Sequence, residues 1–181
     1  MLIHKELPVI SFKTAAKFYA WLKINHAKEK AFWLRLYKKS SGVTAITSGE
    51  AVDTALCWGW IDGLSNKYDE ESYLLRFTPR RPKSIWSKIN VAKIEKLSKL
   101  GLMQPSGLAQ VEKAKTDGRW DRAYEPPSTM EVPADFIKLI KKDKTAYAFY
   151  QTLNKTNTYA IAFRLTTVAD AEKRKQKMNQ L

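Results

Sequence analysis

At positions 79–82 the chain reads Pro-Arg-Arg-Pro, and this tetrapeptide separates two kinds of sequence. Each proline holds φ near −65° and lacks a backbone donor, so neither a helix nor a paired strand continues through the segment. Before it, residues 31–38 alternate Phe32, Leu34 and Leu36 against Trp33, Arg35 and Tyr37, the two-residue period of a strand. Trp60-Ile61-Asp62-Gly63 and Tyr73-Leu74-Leu75-Arg76-Phe77 read as two more strands, joined through the polar turn Asp69–Ser72 into a hairpin. Alternation places Trp60, Asp62 and Leu64 on one face of the first of these strands. Ser11 is a candidate cap for a helix reaching Ala27, with Ala15, Phe18, Tyr19 and Leu22 on one face. Thr47-Ser48-Gly49-Glu50 has the form of a capping box and opens a second helix.

After the prolines the pattern is helical to the end. Ser87 is positioned to cap a helix that stops at Gly101, and Pro105 to occupy the first turn of one that stops near Gly118. Glu125-Pro126-Pro127-Ser128 reads as a stiff linker. Pro133, Asp143, Thr156 and the box Thr167–Asp170 mark further helix starts, the last of a basic helix. The expected fold is α+β: a small antiparallel sheet covered by helices, with a mostly helical C-terminal half. Residues 1–124 form the expected α+β domain, and residues 125–181 a helical segment packed on the same core.

With 181 residues, 44% of them apolar, and six tryptophans, the chain can bury a substantial core. Its one cysteine, Cys57, excludes an internal disulfide and, with His4 and His26 far apart, leaves no cluster for zinc. Cys57 reads as a small core residue, and both histidines as surface imidazoles. No glycine-rich phosphate loop, H-E-x-x-H or G-x-S-x-G is present, so no metal or other cofactor is expected and an enzyme is disfavoured. The sequence has no run approaching the roughly 20 apolar residues that a membrane span needs. The first residues have no apolar signal-peptide core, which points to a cytoplasmic location. The net charge of +14 attracts nucleic acid, other polyanions or anionic small molecules. It is equally a means of staying soluble, since most of the basic residues are lysine.

Between Arg76 and Lys99 there are eight basic residues and one acid, Glu95. Arg76, Arg80, Arg81 and Lys88 surround Trp86 in sequence, a mixture of guanidinium, ammonium and indole that suits phosphate contact and base stacking. Asp62 and Asn90 are candidates to orient a ligand, and Arg119 with Trp120 repeats the Arg/Trp pairing. The alternative is structural: the arginines pair with Asp53 or Asp62, Asp62 with Arg76, and Trp86 belongs to the core.

The blocks Ala51-Val52-Asp53-Thr54-Ala55-Leu56-Cys57-Trp58-Gly59-Trp60-Ile61-Asp62-Gly63, Arg76–Pro82, Ser84–Asn90 and Asp117–Tyr124 closely resemble the bacteriocin-protection family, also called the YdeI/OmpD-associated family. The resemblance runs collinearly from about Phe12 to Met178. It implies a stress or antimicrobial-resistance role with no defined reaction, cofactor or catalytic residue. A +14 chain repels cationic peptides, so protection is expected to be indirect. Three functions follow as expectations: a non-enzymatic protein binding an anionic ligand through the Arg/Trp face, a general nucleic-acid-binding protein, or an enzyme acting on an anionic small molecule.

Overall fold

The aromatic strands meet in one five-stranded sheet. The computed structural model describes residues 2–181. Strands β1 (Leu2–His4), β2 (Leu7–Ile10), β3 (Phe32–Tyr37), β4 (Trp60–Lys67) and β5 (Ser72–Pro79) lie in the order β1-β2-β3-β5-β4. The expected hairpin is β4–β5, which pairs antiparallel from Trp60↔Pro79 to Lys67↔Tyr73. The sheet is mixed rather than purely antiparallel, because β2 and β3 run parallel. Helix α1 (Ala15–Asn25) lies between them in the chain and supplies the crossover that a parallel pair requires.

Strand β3 has the two faces its alternation predicts. Phe32 is fully buried, with ring centroids 4.7 Å from Trp21 and 5.8 Å from each of Phe18, Trp60 and Phe77. Trp33 faces the other way and packs with Val9 and Leu74. Arg35 shares that side. Its guanidinium stands 4.7 Å from the Tyr37 ring and 4.9 Å from the Tyr68 ring and is bonded to Asp69 at 2.7 Å. On β4 the alternation fails after Asp62. The register shifts between Asp62 and Ser65, and the one extra residue leaves Leu64 exposed rather than beside Trp60.

Helix α2 (Ser48–Cys57) starts as the sequence predicts. Thr47 accepts from the Glu50 N–H, and the Glu50 carboxylate accepts from the Thr47 N–H at 2.9 Å and its hydroxyl at 2.7 Å. These bonds hold the Glu50 pKa below the ordinary carboxylate range. Helix α3 (Lys88–Lys99) is followed by Gly101 at φ 68°, and α4 (Pro105–Thr116) carries Pro105 in its first turn. Three expected caps shift. The α1 cap is Thr14, not Ser11. Asn154, not Thr156, caps α7 (Lys155–Thr166), and Asp170 caps α8 (Ala171–Gln180), while Thr167 closes α7 instead of opening a box. In each case the side chain directly before the first helical turn reaches its N–H groups, and the one chosen from the pattern lies two or three residues away.

By packing, the chain divides into two units, Met1–Ser84 with Asn90–Asp121, and Ile85–Ile89 with Arg122–Leu181. The first holds the sheet, α1, α2, α4 and most of α3. The second holds α5 (Ala134–Ile140), α6 (Lys144–Gln151), α7 and α8. Within the second unit, Phe136, Ala162 and Leu165 are buried, and Arg174 of α8 grips Asp135 of α5 with bonds of 2.6 and 2.9 Å. No helix of the described residues is long and apolar enough to cross a membrane.

Candidate functional site

Helices α1 and α2, with the end of α3 and the segment after it, enclose an open groove of about 500 Å³ in the first unit. That is a volume suited to a small organic molecule. Ala15, Ala16 and Tyr19 line it from α1, Thr54 and Cys57 from α2, and Leu97, Leu100 and Leu102 from the far wall. Glu50, Asp53 and Lys96 are its charged residues. Two of these are already engaged, Glu50 in the capping box and Asp53 in an ion pair with Lys93. Thr54 donates its hydroxyl to the Glu50 carbonyl at 2.7 Å. The lining is therefore dominated by methyl, isobutyl and aromatic surface, with the Tyr19 hydroxyl and the Lys96 ammonium as uncommitted polar groups.

Cys57 is buried, as the sequence suggests, and its thiol lies against this groove. Burial, and secondarily the nearby Asp53 charge, push its pKa up to about 11. The sulfur is thus a neutral thiol near neutral pH and a poor nucleophile. Neither histidine is the surface imidazole expected. His26 is half-buried, with Nδ1 2.9 Å from the Leu22 carbonyl and its ring 4.6 Å from Trp58. His4 is half-buried and sets its ring edge-on to Trp33 at 5.2 Å. The rings that cover them, Trp33 and Trp58, are distant in sequence.

The residues singled out around the Pro-Arg-Arg-Pro loop fall in both units: Trp86 and Lys88 in the second, the remainder in the first. Arg80 is 5% exposed, and its N–H donates to the Gly59 carbonyl at 2.9 Å. Arg119 donates from Nη1 to the Ser84 carbonyl at 2.8 Å and from Nε to the Asp117 carboxylate, also at 2.8 Å. It thereby ties the loop to the end of α4. The loop closes on itself as well, Ser84 donating its N–H to the Arg81 carbonyl and accepting from the Arg81 N–H. Lys88 is paired with Glu125, Trp86 is buried, and the Trp120 ring lies 5.8 Å from the Lys115 ammonium. Arg76 and Asn90 are half-buried. Arg81 and Lys83 are exposed on this fixed turn, with no carboxylate within 4 Å among the described residues.

Asp62 does not pair with Arg76. It stands opposite Phe77 in the β4–β5 ladder, and none of the ion pairs among the described residues includes it. Burial raises its pKa against the opposing pull of its own backbone hydrogen bond, Lys93 and Arg80. A carboxyl whose folded pKa lies above its unfolded value binds more protons when folded, so stability falls as pH rises through that window. Asp62→Asn is accordingly expected to stabilise the protein at pH 7, with the difference from wild type shrinking as pH drops below about 4, the ordinary Asp value. Urea unfolding at both pH values measures this, and a loss of stability at pH 7 would reject it.

Residues 10–110 match the family described as a domain of unknown function (DUF8412). Residues 129–181 match the family described as bacteriocin-protection, YdeI or OmpD-associated. The second match covers α5 to α8 rather than the expected stretch from Phe12 to Met178. The signature blocks from Ala51 to Asn90 lie inside the first match instead. No curated protein and no solved structure matches the chain significantly.

Proposed function

We propose, for a chain that belongs to the DUF8412 family of domains of unknown function over residues 10–110, a non-enzymatic role: the first unit binds a small apolar molecule in the α1–α2–α3 groove. The C-terminal match connects the protein with bacteriocin protection at the level of that family. Protection then acts indirectly, through a bound small molecule, rather than by trapping a cationic peptide on a chain of net charge +14. The observation that carries this reading is the groove itself. It is open to solvent, lined by small and branched apolar side chains, and its carboxylates are already bonded elsewhere. An anionic ligand has only Lys96 to meet there, whereas an uncharged ring or acyl chain meets Ala15, Ala16, Leu97, Leu100 and Leu102. Near neutral pH the protonated Cys57 thiol is a poor nucleophile, which supports binding over catalysis.

The uncharged dye N-phenyl-1-naphthylamine is a suitable probe. It is expected to bind saturably with enhanced fluorescence and to slow alkylation of Cys57 at alkaline pH. Ala16 is exposed at the groove wall, so Ala16→Trp should fill the space without disturbing the core. This substitution is expected to weaken dye binding by about tenfold or more, with the melting midpoint retained. Dye that fails to bind, or binds Ala16→Trp equally well, would overturn the proposal.

A further inference from the structure

The second unit carries a face that neither the groove nor the loop uses. Helix α6 has no buried residue, and its Phe149 is 67% exposed. Lys138 at the end of α5, Lys141 and Lys142 in the turn that follows, and Lys144 at the start of α6 are all exposed, and none is in an ion pair among the described residues. The one acid among them, Asp143, is the α6 cap, accepting from Thr145 N–H at 2.8 Å and Ala146 N–H at 3.1 Å. Elsewhere in the unit Lys88 and Arg174 are each neutralised by a carboxylate, while Lys173, Lys175 and Lys177 of α8 are exposed but have no exposed aromatic ring on their helix.

We propose that α6 and the turn before it form a docking face for an anionic lipid surface. The four lysines supply charge complementary to phosphate headgroups, and Phe149, about 140° round α6 from Lys144, an apolar ring that can enter the boundary while the long lysine stems reach round to the headgroups. The aromatic arrangement favours lipid over single-stranded nucleic acid. A nucleic-acid platform needs ring faces free for successive bases. Here Tyr147 stacks with Tyr150 at 6.4 Å and 14°, and the Lys141 ammonium sits 5.3 Å from the Tyr147 ring. Two of the three rings are thus engaged with their own helix and its neighbour. Amphipathic rings flanked by long basic side chains fit a headgroup layer, in which lysine stems lie along apolar surface while the ammonium groups remain hydrated.

The test is co-sedimentation of the full chain with phosphatidylcholine vesicles, with and without phosphatidylglycerol. Binding is expected only with phosphatidylglycerol, and to weaken as salt is raised. Each lysine near the surface is worth about fivefold, so Lys141→Gln/Lys142→Gln/Lys144→Gln should lower partitioning by about 100-fold. Phe149→Ala should lower it by about tenfold while leaving the melting midpoint unchanged, since the ring is exposed. Lys155→Gln/Arg164→Gln, basic positions on α7, should bind as wild type. Equal binding to neutral vesicles, or α6 variants that partition like wild type, would overturn the proposal. So would a chain that leaves vesicles in solution and instead binds a mixed-sequence single-stranded oligonucleotide through the same lysines.

Discussion

Gly107→Ala is expected to destabilise the first unit by roughly 3 kcal/mol or more, although it replaces a poor helix former with the best one. The reason is a meeting of helix ends. The last carbonyls of α2 need donors, and α4 supplies them: the Gln104 N–H donates to the Cys57 carbonyl at 2.9 Å, and the Ser106 hydroxyl to the Trp58 carbonyl at 3.0 Å. That junction brings the α4 backbone against the α2 terminus with no room for a side chain. A Cβ on Gly107 would stand 2.2 Å from the Cys57 carbonyl oxygen and 3.0 Å from that of Leu56. Both are backbone atoms, so no rotamer change relieves the clash, and the helices must separate and lose the bonds between them. Urea unfolding followed by tryptophan fluorescence measures the effect, because five of the six tryptophans, all except Trp86, lie in this unit. The midpoint should fall with little change in slope. Gly49→Ala is the control. It adds the same methyl group to a helix, but nothing lies within 4 Å of the new atom, so stability should be unchanged or raised by up to about 1 kcal/mol. A Gly107→Ala midpoint within error of wild type would show that the two helices can be parted without cost.

What the sequence reveals and what it conceals divide by range. The Thr47–Glu50 box, Pro105 at the start of α4 and the two faces of β3 are short-range signals, and each keeps its predicted role. The β1–β2 hairpin escapes because its two-residue turn is Lys5-Glu6, with φ of 48° and 65°, where a turn of this kind usually shows Asn or Gly. Pro8 within β2 adds a second misleading mark, since proline argues against an interior strand. The groove escapes for a different reason. Its lining runs from Ala15 to Leu102, and no local spacing joins residues so far apart. The loop arginines were conspicuous in sequence, but the role of Arg119 depends on a carbonyl 35 residues away, at Ser84. Charge was legible only as a total. Which lysines are neutralised, as Lys88 and Lys93 are, and which stand open, as those near α6 do, is decided by tertiary neighbours.

Phe32→Ala should cost the first unit about 3–5 kcal/mol, enough to exhaust much of the stability of an ordinary domain. The side chain is fully buried, and its ring touches four others contributed by α1, β4 and β5. Removing it opens a cavity at the point where the helix layer meets the sheet, and its neighbours are themselves rings that refill space poorly. Two of them, Phe18 and Phe77, are fully buried and in edge contact with each other at 5.8 Å, so neither can move inward without losing that packing. Tryptophan fluorescence is again the readout, because Trp21 and Trp60 flank the cavity and should report both the loss of stability and a more mobile environment. Phe32→Leu, which retains more of the volume, should recover a large part of the loss. The comparison with Phe149→Ala is the sharper check. Both substitutions delete one phenyl ring from the same chain, yet the first should lower stability by several kcal/mol and the second by almost nothing. An exposed ring that contributes nothing to folding is free to act in binding. If Phe149→Ala unfolded the second unit as Phe32→Ala is expected to unfold the first, α6 would be part of the scaffold and not a docking face.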